Sequence, residues 1–428
     1  MDRTTLNRGL NSLDPSRIDL GLDRMFQVME RLGNPHLSFK SVHIAGTNGK
    51  GSTAAFLSAI LTSAGYKTGL YTSPHLERFS ERIRIGAEEI SDHHLSVLSG
   101  EVDEAAENLP AGELTYFEHA TALAFLHFAR EKVDIAVIET GLGGRLDATN
   151  IITPLVSVIT PVALDHAEYL GTDINVIAEE KGGIIKAGVP LVIGPQEGAV
   201  APLLEDIATK QRADALVYGR DFESIEGGED AFHYRGPSGE LKGITLPLHG
   251  RHQKENAAVA LAAVGLLAHQ GFDVNRQAER RGLEQTLWPG RFEIVSKGPD
   301  IILDGAHNPA GMQRLAGTME ERYCGKKGVV VAGFLADKDV EGMLSLLAPL
   351  AHCLILTRPE CERAFDPERE MRYKKGLPDN VRCRVVADAG TALEEGRTLM
   401  HSSDAPFLLV AGSLYLVGTA KKYFRENR

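Results

Sequence analysis

The stretch HIAGTNGKGST, residues 43–53, constrains the fold more than any other part of the chain. Upstream, SVHIAG is an apolar run that reads as a buried strand, and downstream KGSTAAFLSAILTSAG reads as a helix. GTNGKGS therefore fills a strand-to-helix turn, where backbone N–H groups and a helix N-terminus converge on an anion. Gly46, Gly49 and Gly51 permit tight or left-handed turns, and Thr47 and Asn48 complete the loop. Lys50 supplies a point charge for the β- and γ-phosphates of a nucleotide, and the hydroxyl of Ser52 or Thr53 can ligate Mg²⁺. Because Gly51 follows the lysine, the spacing departs from the common GxxxxGKS/T form. The competing reading is a glycine-rich turn with a solvated lysine.

The same alternation continues. KTGLYTS, DIAVIET, LVSVIT and PLVIG are short apolar runs, separated by longer amphipathic stretches such as INVIAEEKGGIIKAG. This is the pattern of an α/β fold, a parallel-rich sheet covered by crossover helices, with function at the carboxyl ends of its strands. From about 215 to 250 the texture changes to short segments with Gly and Pro turns, which reads as a small β insertion. We place a domain boundary near 297, giving a first domain over 1–297 and a second, smaller strand-and-helix series over 298–428.

A net charge of −12 opposes a broad nucleic-acid interface, which needs clustered Lys and Arg. Four scattered cysteines with no CxxC pair read as reduced thiols, and no segment reaches the ~18–20 apolar residues of a membrane span. The expectation is a cytoplasmic protein that binds neither nucleic acid nor membrane, and a monomer, since no helix carries a long apolar face.

Strand ends supply the candidate chemistry. Glu139 ends DIAVIE, where a carboxylate can complete an Mg²⁺ shell or cap a turn. Asp165 and His166 follow LVSVIT, and Ser73 follows KTGLYT with His75 and Arg82 nearby. Glu180 and Lys181 interrupt a helical stripe, where a lysine is ordinarily solvated. In the second domain Arg291, Asp304 and His307 in WPGRFE and DGAHNPAG are candidates for a nucleotide, against the plainer readings of a surface arginine and an Asx turn.

Taken in order, GTNGKGS, TSPHLERFSERIRI, TYFEHA, GLGGRLDATN, DHAEYLG, EKGGIIK, HQKENA, WPGRFE, DGAHNPAG, DKD and GSLY resemble the folylpolyglutamate synthase and dihydrofolate synthase family of the Mur ligase superfamily, over residues 20 to about 418. The resemblance implies an N-terminal P-loop ATP-binding domain over 1–297, a smaller C-terminal Rossmann-like α/β domain over 298–428, and ATP-dependent amide formation through an acyl phosphate, with L-glutamate as the amine. By position, Gly46 to Ser52 hold the triphosphate with Lys50 on its terminal phosphates. Ser52, Ser73, Glu139 and His166 match metal ligands, and Lys181 matches a lysine carbamylated by CO₂ that assists Mg²⁺. Asn256, Arg291, Asp304 and His307 match ATP contacts. One departure is visible: Gly182 stands where the family usually has alanine, which loosens the helix by up to ~1 kcal/mol.

Two activities are open within the resemblance. A bifunctional enzyme joins glutamate to dihydropteroate and also extends folates by γ-linked glutamate; the narrower enzyme only extends folates. IDLGLDRMFQVMERLG resembles the segment lining a pterin site in bifunctional members, and its spacing equally suits an ordinary packed helix. Two other classes stand against ligation. An inactive nucleotide-binding regulator of the same fold would be expected to lose Lys50, Glu139, His166 or Lys181, all of which are present, and a kinase would not need DGAHNP or the lysine of EKGG.

Overall fold

The computed structural model describes residues 10, 12–228, 231–369, 373, 377–378 and 381–427. The chain forms two compact units: residues 1–163, 167–247 and 254–286 make the first, and residues 164–166, 248–253 and 287–428 the second.

The first unit is built on an eight-stranded sheet of β1 (Lys40–Ala45), β2 (Thr68–Tyr71), β3 (Ile83–Ile85), β4 (Glu88–Glu89), β5 (Ile135–Glu139), β6 (Val156–Ile159), β7 (Leu191–Ile193) and β8 (Ala215–Val217), in the order β4-β3-β2-β5-β1-β6-β7-β8. Only the β2–β3 and β3–β4 pairs are antiparallel. Strands β2, β5, β6 and β7 are wholly buried, as apolar runs in a covered parallel sheet require. Phe125, Phe128, Met25 and Ile138 belong to one core cluster of this unit, and Ile159, Ile177, Leu191 and Leu204 to another.

The expected β insertion is a three-stranded antiparallel sheet of β9 (Glu223–Glu226), β10 (Ala231–Gly236) and β11 (Gly239–Thr245), whereas ALV at 215–217 joins the main sheet as β8. Two helices meet closely near the far end of the helix that follows the glycine loop. Gly282, in the helix Arg276–Glu284, lies so near the backbone of Ile60, in the helix Lys50–Ser63, that a Cβ on it would stand 2.4 Å from the Ile60 Cα.

The second unit contains a six-stranded sheet of β12 (Glu293–Ser296), β13 (Asp300–Leu303), β14 (Gly328–Ala332), β15 (Ala351–Leu356), β16 (Arg382–Val385) and β17 (Phe407–Ala411), ordered β12-β13-β17-β14-β15-β16. All its pairs are parallel except β12–β13. That pair explains why this unit takes in residues ahead of the expected boundary at 297: FEIVS is the outer arm of a hairpin whose Gly298-Pro299 turn looks like a linker in sequence. Ile302, Met312, Phe334, Leu354 and Phe407 form its core. Among the described residues no helix is long and apolar enough to cross a membrane.

Candidate active site

The loop after β1 is held from several sides within the first unit. Gly46 (φ 148°) and Gly49 (φ 86°) have backbone conformations that side chains avoid. A Cβ on Gly46 would also strike Thr160 Oγ1, and one on Gly49 would lie 2.5 Å from Asn256 Oδ1. Gly51 differs from the expectation of a turn glycine: it sits in the first turn of the helix Lys50–Ser63. The N–H groups of Thr47 and Asn48 differ too, because both donate to the Pro161 carbonyl, at 2.9 and 3.1 Å. The first helical bond runs from Thr53 N to Gly49 O at 2.9 Å, so the amides of Lys50, Gly51 and Ser52 precede the helical ladder and suit an anion. Thr53 Oγ1, deeply buried in that turn, has no hydrogen-bond partner.

Two lysines converge on one carbonyl. Lys50 Nζ donates to Gly46 O at 3.2 Å and to Thr47 O at 3.4 Å, and Lys181 Nζ donates to Gly46 O at 2.8 Å. The solvated lysine of the plainer reading is instead buried: Lys181 is only 4% exposed. Glu139, buried at the end of β5, has Oε1 3.9 Å from Lys50 Nζ and accepts from Ser73 N on Oε2 at 3.3 Å. Loop and strand-end residues Gly46, Lys50, Ser73, Glu139 and Lys181 thus form one connected group.

The glycines of GLGGR and EKGG explain how Lys181 is aimed. Arg145 N donates to Glu180 O at 2.8 Å, and a Cβ on Gly144 would come within 2.7 Å of that same carbonyl. Gly183 backs onto Arg145 so closely that its Cβ would lie 2.3 Å from the arginine's. Asn150 Nδ2 closes the joint by donating to Arg145 O and Gly183 O at 2.9 and 3.1 Å. Under this loop, Thr149 Oγ1 bonds Asp147 Oδ1 at 2.5 Å and His43 Nε2 at 2.8 Å. Asp147 also accepts from Leu142 N at 2.8 Å, and full burial raises its carboxyl above the usual range despite these bonds. Burial first, and the Lys186 charge second, push the His43 imidazole down to about 3.

A second group lies in the second unit. Asp304 is buried and accepts from Phe292 N and Ala306 N, both at 2.8 Å. Burial raises its carboxyl against the pull of Arg291 and these two amides. His307 Nδ1–H donates to Gly305 O at 2.8 Å, which leaves Nε2 facing Asp165 Oδ2 at 3.8 Å. Burial holds His307 below the ordinary imidazole range, with Asp165 opposing. Burial also works to raise Asp165, yet His307, His166 and Lys338 together keep it well below the usual carboxylate range. Lys338 Nζ is 2.5 Å from Asp165 Oδ1. Asn308 Nδ2 donates to Asp165 Oδ2 at 2.9 Å. His166 carries the left-handed φ of 51°, rare for a side-chain-bearing residue.

Arg291, Asp304 and His307 are therefore brought together, as are the loop, Ser73, Glu139 and Lys181, with Asn256 against Gly49. Lys338 and the His43–Thr149–Asp147 chain went unremarked as individual residues in the sequence. For Lys338 the DKD motif was the available signal; His43 inside an apolar strand offered none.

The Mur ligase middle domain matches residues 44–264, and the Mur ligase glutamate ligase domain matches residues 290–414. The chain is 39% identical to the dihydrofolate synthase/folylpolyglutamate synthase of Bacillus subtilis, over 94% of each chain. Among solved structures, the Mycobacterium tuberculosis folylpolyglutamate synthase complexed with ADP superposes with a TM-score of 0.90 at 35% identity, covering 97% of this chain and 96% of that one. Escherichia coli FolC in complex with DHPP and ADP gives a TM-score of 0.85 at 34% identity, covering 98% and 96%.

Proposed function

The chain belongs to the dihydrofolate synthase/folylpolyglutamate synthase family of Mur ligases, and from that premise we propose that it uses ATP to join L-glutamate to dihydropteroate and to the γ-carboxylate of folates. The observation that carries this reading is the convergence of Lys50 and Lys181 on the Gly46 carbonyl beside a buried Glu139. A plain phosphate-binding turn needs no buried second lysine.

A carboxylate is a poor acylating agent because oxide is a poor leaving group. In the proposed reaction a carboxylate oxygen attacks the γ-phosphorus of ATP, the bond to the β–γ bridging oxygen breaks, and ADP leaves behind an acyl phosphate. The neutral amine of glutamate then adds to the acyl carbon, the tetrahedral intermediate expels phosphate, and the amine proton passes to solvent or phosphate. The amides of Lys50, Gly51 and Ser52 bind phosphate oxygens, and Lys50 exchanges its loop carbonyls for the terminal phosphates. Asp304, whose two oxygens accept from the Phe292 and Ala306 amides, acts as a positioning residue for the neighbouring Arg291 and His307, the proposed nucleotide contacts of the second unit. Asn256 contributes from beside Gly49.

Magnesium fits the donor chemistry of the first unit, where Glu139 is a buried carboxylate and Ser52 and Ser73 offer further hard oxygens; His166 is proposed as a ligand on its sequence position alone. When bound, Mg²⁺ supplies charge neutralisation of the transferring phosphoryl group. For Lys181 we keep carbamylation as a proposal distinct from the donated bond to Gly46, which an amine makes; a carbamate there has to turn from that carbonyl. A cytoplasmic monomer completes the reading.

The test is to supply ATP, Mg²⁺ and L-glutamate with either dihydropteroate or a reduced folate monoglutamate, and to identify products by mass. Glutamylated products with ADP and phosphate from both acceptors are expected. No product from dihydropteroate reduces the activity to folate extension, and a phosphorylated end product overturns ligation.

A further inference from the structure

At the ends where β2 and β5 of the first unit begin, three side chains that the ligase chemistry does not use lie close to one another. His94 lies in the first turn of the helix Asp92–Ala106, His127 in the last turn of the helix Tyr116–Arg130, and Glu131 at that helix's C-cap. The spacing of four residues between His127 and Glu131 puts both on one helical face, and Glu131 N still donates to His127 O at 2.9 Å. One ligand atom from each of the three lies within 4.8 Å of the others. His94 Nδ1 is 3.9 Å from Glu131 Oε1, and the two imidazole centroids are 5.8 Å apart.

We propose that His94, His127 and Glu131 form a three-ligand site for a divalent transition metal of the zinc type, with water as fourth ligand, pinning the helix Asp92–Ala106 to the helix Tyr116–Arg130.

Two nitrogens and one carboxylate oxygen suit zinc and its neighbours, whereas magnesium prefers oxygen donors. Tetrahedral coordination at zinc spaces its ligands about 3.4 Å apart, so the three atoms need close by little more than an ångström. His94 is exposed, with 49% of its side chain accessible, and can supply that motion by rotation, while His127 is buried and provides a fixed point. Glu131 is already oriented: Lys67 Nζ holds Oε2 at 2.9 Å, and Oε1 is the oxygen turned to His94. Lys67 is the adverse element, a cation beside the proposed ion.

The site is separate from the phosphate chemistry. Lys67 precedes β2 and Glu131 precedes β5, at the ends where those strands begin, whereas Ser73 and Glu139 stand where the same strands finish. The metal's role is therefore structural, tying the start of the helix Asp92–Ala106 to the end of the helix Tyr116–Arg130, the end of the pair away from the connection at 107–115.

The experiment is a zinc titration of metal-stripped full-length protein by competition with a chromophoric chelator, with ADP and excess Mg²⁺ present to fill the ligase site. We expect one zinc per chain, an increase in Tm on zinc addition, and visible absorption when Co²⁺ replaces it. His94→Ala should weaken zinc at least about tenfold and abolish the Tm increase, since loss of a direct ligand exceeds the effect of removing an outer partner. Lys67→Gln should strengthen binding. Unchanged zinc affinity and Tm response in both His94→Ala and Glu131→Gln overturns the site. Because His94 is exposed, its variant keeps the fold, which retained glutamate ligation by His94→Ala verifies independently.

Discussion

Lys181 Nζ meets the carbonyl of Gly46 at 2.8 Å, so a buried cation on the helix Ile174–Gly182 reads the position of the loop after β1. Lys50 approaches the same oxygen from inside that loop. Two lysine side chains thus share one carbonyl, with the Glu139 carboxylate 3.9 Å from Lys50 Nζ, an arrangement suited to a polyanion accompanied by a metal ion.

Replacing Lys181 with Met tests this coupling. The variant loses a hydrogen bond worth about 1 kcal/mol of stability, a small change in the urea midpoint. Glutamate-dependent ADP release should fall by at least about 100-fold, the scale of removing one charge-stabilising donor. A fall in kcat with an unchanged midpoint identifies chemistry rather than folding.

Gly182→Ala has two opposed effects. Alanine favours a helix by about 1 kcal/mol, but its Cβ would stand 2.8 Å from Ile207 Cδ1. Overpacking costs about 1–3 kcal/mol, so the single variant should be destabilised. Adding Ile207→Val removes the obstructing methyl, and the double variant should be at least as stable as the parent in urea denaturation.

Gly282→Ala should be worse, because the Ile60 backbone behind it has no rotamer to change. Its cost is expected at or above about 3 kcal/mol, the upper end for overpacking. Ile60 shares a helix with Lys50, so the variant should also bind ADP more weakly by calorimetry than the parent chain.

Acid should weaken the fold through His43. Its folded-state value of about 3 lies below the ordinary 6.5, so the unfolded chain takes up a proton that the folded chain refuses. The contribution is complete above pH 6.5 and falls as pH drops toward 3, with a slope approaching about 1.4 kcal/mol per pH unit. His43→Gln retains a donor for Thr149 and cannot titrate; its urea midpoint should decline less between pH 6.5 and 4. Parallel declines for parent and variant would count against this origin.

What the sequence disclosed follows from locality. Gly46 through Ser52 lie on one strand-turn-helix, and Glu139 ends an apolar strand, so both could be read in a short window. Contacts between distant segments could not. Nothing near Thr47 announces that the Pro161 carbonyl takes its N–H, or that Lys338 neutralises Asp165, 173 positions away. Lys181 illustrates the limit in the other direction: helix patterning favours a solvated lysine, and only the docking of Gly144 and Arg145 against Glu180 buries it. The β12 strand was hidden for a related reason, since a hairpin arm beside Gly298-Pro299 has the composition of a linker.

The strand order β2-β5-β1-β6 has a consequence for how such a chain can change. Four adjacent strands deliver Ser73, Glu139, the glycine loop and Pro161, so their relative placement is fixed by a ladder of backbone hydrogen bonds and not by side-chain identity. Descendants of this chain can gain or lose peptide at β4 or β8, the two margins of the sheet, while the phosphate-handling residues keep their spacing.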